Sequence, residues 1–326
     1  MKRANKYFSI ILILLIIFSC NKDNNDQQIE EYNPVLEYDL NKTIVSTNTT
    51  NVAAGFETVF SESLLDSTER ATFSQVFVNG ARFYDDGSGY FYIETLDNAW
   101  VIAHINATII GTSRINAQDD YGKYFIQEMV ETVKYSGHGF VEYFRINPSN
   151  QAYERKLGYV TNIPSAQWFI GTGFYGERGT LKFTEVEAKE MILKETTQTI
   201  ANGISALLVE LYPNEDDAIS LCREFIDHMR FFDDGSGYFF INDFEGVNIA
   251  HGANEARQGN NDFNIQDANG IYIIQDMINL VQENNSAYYE YMWENPSGGE
   301  LSKKTTYVTK IPGTPFFIGS GFYMSK

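Results

Sequence analysis

From Val52 to Ala81, large apolar side chains return every three or four residues: Phe56, Val59, Phe60, Leu64, Leu65, Phe73, Val76, Phe77 and Val78. That spacing predicts helix, broken near Ser67. From Tyr90 the pattern changes to short aromatic and β-branched runs. Tyr90 to Ile93 and Ala99 to Ala103 read as two strands, Asp119 opens a helix to about Tyr135, and strands follow over Phe140 to Ile146, Lys156 to Ile163 and Trp168 to Phe174. The succession then starts again, with helix over Glu185 to Leu211, a break at Pro213-Asn214 and helix over Asp216 to Phe231. Each copy is predicted to be an α+β domain in which a long N-terminal helix packs on a central antiparallel sheet.

The copies are anchored by one heptapeptide, Asp-Asp-Gly-Ser-Gly-Tyr-Phe, at Asp85–Phe91 and Asp233–Phe239, an offset of 148 residues. Shared landmarks follow: Ile-Ala-His (His104, His251), Gln-Asp-x-x-Gly (Asp119, Asp267), Glu-Tyr (Tyr143, Tyr291), Lys-x-x-Tyr-Val (Lys156, Lys304) and Phe-Ile-Gly-x-Gly-Phe-Tyr, ending at Tyr175 and Tyr323. A period this long is a duplicated domain, not a solenoid repeat. The chain therefore divides into 1–19, a signal peptide; 20–48, a polar tether; 49–180, the first domain; and 181–326, the second.

Lys2, Arg3 and Lys6 precede an apolar run from Tyr7 to Phe18 that is too short to span a bilayer, so the start reads as a signal peptide. Ser19-Cys20 closes it as a lipobox does, implying cleavage before Cys20 and lipidation of its sulfur; an ordinary signal peptide with an incidental cysteine is the alternative. Residues 21–48 are rich in Asn, Asp, Gln and Thr, a composition that favours a solvated linker. The other cysteine, Cys222, falls on a helical apolar stripe and reads as core. The formal net charge of −19 argues against nucleic acid and against charge-driven membrane binding.

The recurring loop Asp85–Gly89 fails as an EF-hand, because Leu96 and Phe244 stand where the bidentate Glu belongs. It also leads into a strand, unlike a dinucleotide-binding glycine loop, and reads as a tight turn. No spacing pairs a nucleophile with a base, and the four histidines supply no zinc set, so neither an enzyme nor a metal or other cofactor is expected. Asp119 and Asp267 read as helix caps. Arg82/Arg230, Tyr90/Tyr238, His104/His251, Tyr143/Tyr291 and Lys156/Lys304 recur in both copies as cationic donors and phenols, the inventory for holding a carboxylate.

These landmarks, notably Arg-Phe-Phe-Asp-Asp-Gly-Ser-Gly-Tyr-Phe-Phe, Ile-Ala-His, Tyr-Met-Trp-Glu-Asn-Pro and Phe-Ile-Gly-Ser-Gly-Phe-Tyr, resemble the single-Cache extracytoplasmic sensor domain over about residues 50 to 178 and 185 to 326. The resemblance implies two tandem Cache (PAS-like) domains and a small-ligand pocket on the sheet. It also implies ligands such as small organic acids. Two departures bear on specificity. Trp293 follows Tyr291 as in the family pattern, whereas Arg145 stands in the first copy, and His104 and His251 precede Ile105 and Gly252 where the family has proline. The second domain is thus expected to hold the more typical pocket, with Arg145 either changing the specificity of the first or pairing at its surface.

The chain is accordingly expected to be a cell-envelope lipoprotein, anchored by lipid at the outer membrane, its periplasmic face or the cell surface. It is expected to bind a small carboxylate, to lack a signalling domain of its own and to work with a membrane protein partner. In this reading Lys304 and Arg230 supply charge, Tyr238 and Tyr291 donate, and His251 orients or adds charge at low pH. The rival is a structural or adhesive lipoprotein with vestigial pockets.

Overall fold

The computed structural model describes residues 34–176, 179 and 181–324. The signal peptide and Cys20 lie outside these residues.

A short strand β1 (Val35–Leu36) leads into α1 (Glu37–Glu62) and α2 (Ser67–Gly80). Then come β2 (Tyr92–Thr95), β3 (Val101–His104), α3 (Phe125–Ser136), β4 (His138–Ile146), β5 (Tyr153–Ile163) and β6 (Trp168–Tyr175). The second copy opens with β7 (Lys182–Phe183), then α4 (Glu185–Glu210), α5 (Glu215–Ile226), β8 (Phe239–Asp243) and β9 (Asn248–His251), followed by α6 (Ile273–Asn284), β10 (Ser286–Glu294), β11 (Leu301–Lys310) and β12 (Phe316–Tyr323). Each five-stranded sheet is antiparallel throughout, in the orders β3-β2-β6-β5-β4 and β10-β11-β12-β8-β9. The α+β expectation holds, and the break between the first two helices falls at Asp66, whose carboxylate caps α2 in a capping box with Glu69.

The tether expectation is corrected from Glu37 onward. Leu40, Ile44 and Val45 are buried on the inner side of α1, together with polar Asn48, Thr49 and Asn51. Those residues look like linker by composition, yet they lie between helices: Asn48 donates to Thr199 Oγ1 of α4 at 3.4 Å. Asp119 and Asp267 are corrected too. The helices begin at Phe125 and Ile273 without a side-chain cap. Asp119 instead accepts the amides of Tyr121 and Lys123 in its own turn and that of Phe144 on β4, at 3.0, 3.0 and 3.2 Å. Asp267 does the same with Asn269, Ile271 and Met292. Each aspartate staples a loop to the sheet; burial pushes its carboxyl up, and the amide donors together more than offset this and hold it below the usual range.

The copies face each other across a local two-fold axis. Val35 pairs with Phe183, the residue one repeat later, in the β1–β7 ribbon. Gly55 of α1 abuts Phe225 of α5, and Gly203 of α4 abuts Phe77 of α2, the same contact made twice. A Cβ on Gly203 would lie 2.1 Å from the Phe77 ring, so only glycine lets these helices close. Phe56, Phe73, Phe77 and Phe225 form one aromatic cluster with centroids 5.1–6.3 Å apart, inside an apolar core that runs through both copies. Cys222 is buried in that core, as expected, and burial pushes its thiol up to about 12.

The heptapeptide is the tight turn expected. Asp86 and Asp234 accept the amides of Ser88 and Ser236 at 2.9 and 3.0 Å, and Gly87 and Gly235 take φ of 67° and 66°.

Candidate functional site

Strand alternation puts Leu157 and Tyr159 on the face of the first sheet that meets α1, and Lys156 and Val160 on the opposite face, covered by α3. A cavity of about 280 Å³ opens on that opposite face. Tyr90, His104, Tyr143 and Arg145 line it as the sequence predicts, and Arg114, Tyr92, Tyr153 and Tyr175 join them. Lys156 does not reach the lining. It is 1% exposed and lies behind it, with Nζ 3.1 Å from the Tyr90 hydroxyl and 3.4 Å from that of Tyr175. Its ammonium also sits over both rings, 4.2 and 4.6 Å from their centroids. Among the described residues no carboxylate comes within ion-pair distance of Lys156.

The second domain repeats this base. Lys304 is fully buried, donates to Tyr238 at 2.8 Å and lies 4.1 Å from its ring centroid, again with no carboxylate partner among the described residues. Burial pushes the phenols of Tyr90 and Tyr238 up, and the lysine beside each more than offsets it, so both stay below the ordinary phenol value. The space above is arranged differently. Tyr238, His251, Tyr291 and Trp293 enclose an inner compartment of only about 20 Å³, while an outer recess of about 580 Å³ opens past Arg257, Trp293 and Asp267.

Arg82 and Arg230 do not enter either cavity, which corrects their assignment as ligand cations. Arg82 Nη1 donates to the carbonyls of Val78 and Ala81, and Arg230 Nη1 to those of Asp227 and Met229. They close the C-terminal ends of α2 and α5, where the helix dipole favours a cation. Arg145 is not surface-paired: among the described residues it makes no ion pair, and it lies along the cavity with its guanidinium 5.7 Å from the Phe125 ring.

The histidines are corrected in one respect. His104 Nδ1 accepts from the Asn106 amide at 2.8 Å and His251 Nδ1 from the Asn254 amide at 3.0 Å, which leaves Nε2 to carry the proton of a neutral ring. Burial, then the neighbouring cations, lowers both to about 3. His251 therefore orients and donates, and adds no charge at mildly acidic pH.

Arg114 and Arg257 are the residues that repeat comparison missed. Arg114 Nη1 pairs with Glu94 at 2.7 Å; in the second domain Asp262 stands at the Arg114 position, Asn242 at the Glu94 position, and Arg257 pairs with Asp262 at 2.8 Å. Each domain keeps an ion pair here, but the second copy carries an acid at the Arg114 position and takes its arginine from another position, so neither arginine recurs. Tyr175 was also missed, although the motif it ends recurs at Tyr323.

Burial pushes the Glu94 carboxyl up to about 7 against the pull of Arg114. A carboxyl raised in the folded state stabilises fully below its unfolded value, near 4.5, and that contribution is lost as pH rises through 7. Protonating Glu94 also releases Arg114 for an incoming anion. Anion binding at Arg114 is therefore expected to strengthen as pH falls from about 8 to about 6. Titrations at stepped pH should show the trend in the natural protein and its disappearance in Glu94→Gln; a flat profile in both would exclude the coupling.

Comparison with known proteins agrees with this architecture. The family model for single Cache domain 2 matches residues 61–189, and a Cache domain model matches residues 178–326. The chain is built of two tandem Cache domains, sensor-type modules. It is 30% identical over 88 residues to the sensor histidine kinase MctS of Rhizobium johnstonii, covering 27% of this chain and 19% of that protein. It is likewise 30% identical over 91 residues to the methyl-accepting chemotaxis protein McpP of Pseudomonas putida, covering 28% and 17%. The matched region thus spans less than a fifth of either relative. A Cache chemosensory domain solved for its carboxylic acid recognition is 27% identical, covering 43% of this chain and 96% of that one, with a TM-score of 0.39. No described helix is long and apolar enough to cross a membrane.

Proposed function

We propose that this chain is an extracytoplasmic sensor protein that binds a small organic acid without turnover, held at the cell envelope through a lipid on Cys20. The carboxylate sits in the first domain. The observation that carries the reading is Lys156, a fully buried ammonium beside two phenols with no acidic partner among the described residues. A buried cation without a counterion is costly, and an anion held above it would relieve that cost. Arg114 and Arg145 offer forked donors from two sides of the same cavity, Tyr90 offers a phenol oriented by the lysine, and His104 offers a neutral Nε2–H. Likeness to a sensor kinase and a chemotaxis receptor supports a sensory use in which a membrane protein partner reads the bound state.

The small inner compartment of the second domain favours a structural role for that pocket, since about 20 Å³ holds little more than a water molecule. In this reading the first domain is the binder.

Calorimetric titration of the full chain with two- to six-carbon mono- and dicarboxylates tests the proposal. One saturable site is expected, weakened at least about tenfold by Arg145→Ala, since a hydrogen bond to a charged group is worth about 1.5–3 kcal/mol. If none of the acids binds, the structural or adhesive reading takes its place.

A further inference from the structure

The two-fold relation between the domains is broken where the heptapeptide turns meet the long helices of the opposite copy. Where the first heptapeptide turn meets α4, two contacts lock it. Lys194 Nζ pairs with Asp85 at 2.7 Å, and Glu195 Oε2 accepts the Tyr84 amide at 2.7 Å. One repeat away, Phe232 and Asp233 stand in place of Tyr84 and Asp85, but the facing residues of α1 are Ser46 and Thr47. Both are too short to bridge. A cleft of about 650 Å³ lies between them and the turn, and all four residues line it. Its floor is apolar, with Leu40, Ala188, Ile192 and Phe322 buried. The Phe232 amide and the Asp233 carboxylate have no hydrogen-bond or ion-pair partner among the described residues.

The filled twin shows what chemistry the open cleft would accept. There, an ammonium answers the aspartate and a carboxylate answers the amide through Oε2, with Lys194 Nζ 3.7 Å from the other oxygen of that carboxylate, Oε1. Covalent geometry holds the ammonium nitrogen and carboxylate oxygens of an α-amino acid at roughly 2.7–3.6 Å, nearly the same separation. We infer that the cleft between α1 and the second heptapeptide turn is a binding site for an α-amino acid with an apolar side chain. Its ammonium pairs with Asp233, its carboxylate accepts from the Phe232 amide and the Thr47 hydroxyl, and its side chain covers Leu40 and Ile192. The site lies outside both sheet cavities and touches both domains, so an occupant clasps the second side of the molecule as Lys194 and Glu195 clasp the first.

The test is calorimetric titration of the full chain with L-leucine, L-isoleucine and L-valine, in the natural protein and in two variants. S46K/T47E installs the residues of the filled twin. It should abolish amino-acid binding, leave the melting temperature unchanged or higher, and keep carboxylate binding in the first domain. Asp233→Asn, which removes one exposed charge and leaves the backbone alone, should weaken amino-acid binding at least tenfold. Absence of binding by all three amino acids overturns the inference. So does binding that survives S46K/T47E, and if that binding is instead lost in Lys304→Ala, the amino acid occupies the second sheet cavity. Loss of carboxylate binding alone would count against the proposed function and not against the cleft.

Discussion

Lys156→Met is expected to remove carboxylate binding from the first domain while leaving the protein at least as stable as before. Most substitutions of a fully buried residue do the reverse. Lys156 has only phenols for partners, so its ammonium is held out of water without a neutralising carboxylate. Replacing buried ionic groups by apolar residues of similar volume is often neutral or stabilising, by about 1–4 kcal/mol. Methionine keeps the length and flexibility of the lysine stem, so the packing against Tyr90 and Tyr175 is retained. Binding should nevertheless fall at least about a hundredfold, because the cavity loses its deepest positive charge together with the donor that orients Tyr90. Paired thermal unfolding and titration would check this. A variant that melts much lower and still binds would show that Lys156 serves the fold and not the ligand. Lys304→Met is the matched control and should leave first-domain binding unchanged.

Phe225→Ala is expected to destabilise both domains together. The Phe225 ring is fully buried, lies 5.3 Å from Phe77 and 5.9 Å from Phe56, and belongs to the second domain while most of its aromatic neighbours belong to the first. Truncating a buried Phe costs about 3–5 kcal/mol through lost burial and an unfilled cavity. Because one apolar core runs through both copies, the loss should shift a single unfolding transition instead of splitting it. Calorimetry would decide the matter: two separated transitions, with only the second lowered by the substitution, would show that the domains fold independently.

The interdomain packing also explains where the sequence misled. Asn48, Thr49 and Asn51 are polar residues packed between α1 and its neighbours, and no periodicity of apolar residues marks them. The helix was therefore legible from Val52, where Phe56 and Val59 begin the apolar stripe, and invisible before it. Asp119 had the composition of a cap and the wrong place for one, since its third amide partner, Phe144, comes from a strand that local pattern cannot bring near.

For the site, recurrence was a good guide to the base and a poor one to the rim. Tyr90, His104, Tyr143 and Lys156 recur because both sheets need the same buried lysine and phenols beneath the cavity. Arg82 and Arg230 recur for another reason, the repeated need to close a helix C-terminus. Arg114 does not recur because the second domain has Asp262 at that position and pairs it with an arginine from elsewhere, Arg257, so a search for shared residues passes over it.

The sequence by itself determined the duplication, the α+β order of each copy and the turn at the heptapeptide. These follow from recurrence at a fixed offset, from local periodicity and strand alternation, and from glycine and aspartate turn chemistry. Only the tertiary structure decided that the copies share one core across a two-fold axis, that Arg145 and Arg114 converge on one cavity, and that one interdomain contact is clasped and its twin open. Each of these depends on residues brought together from well outside local sequence range, where packing and charge pairing act on side chains that no local pattern relates.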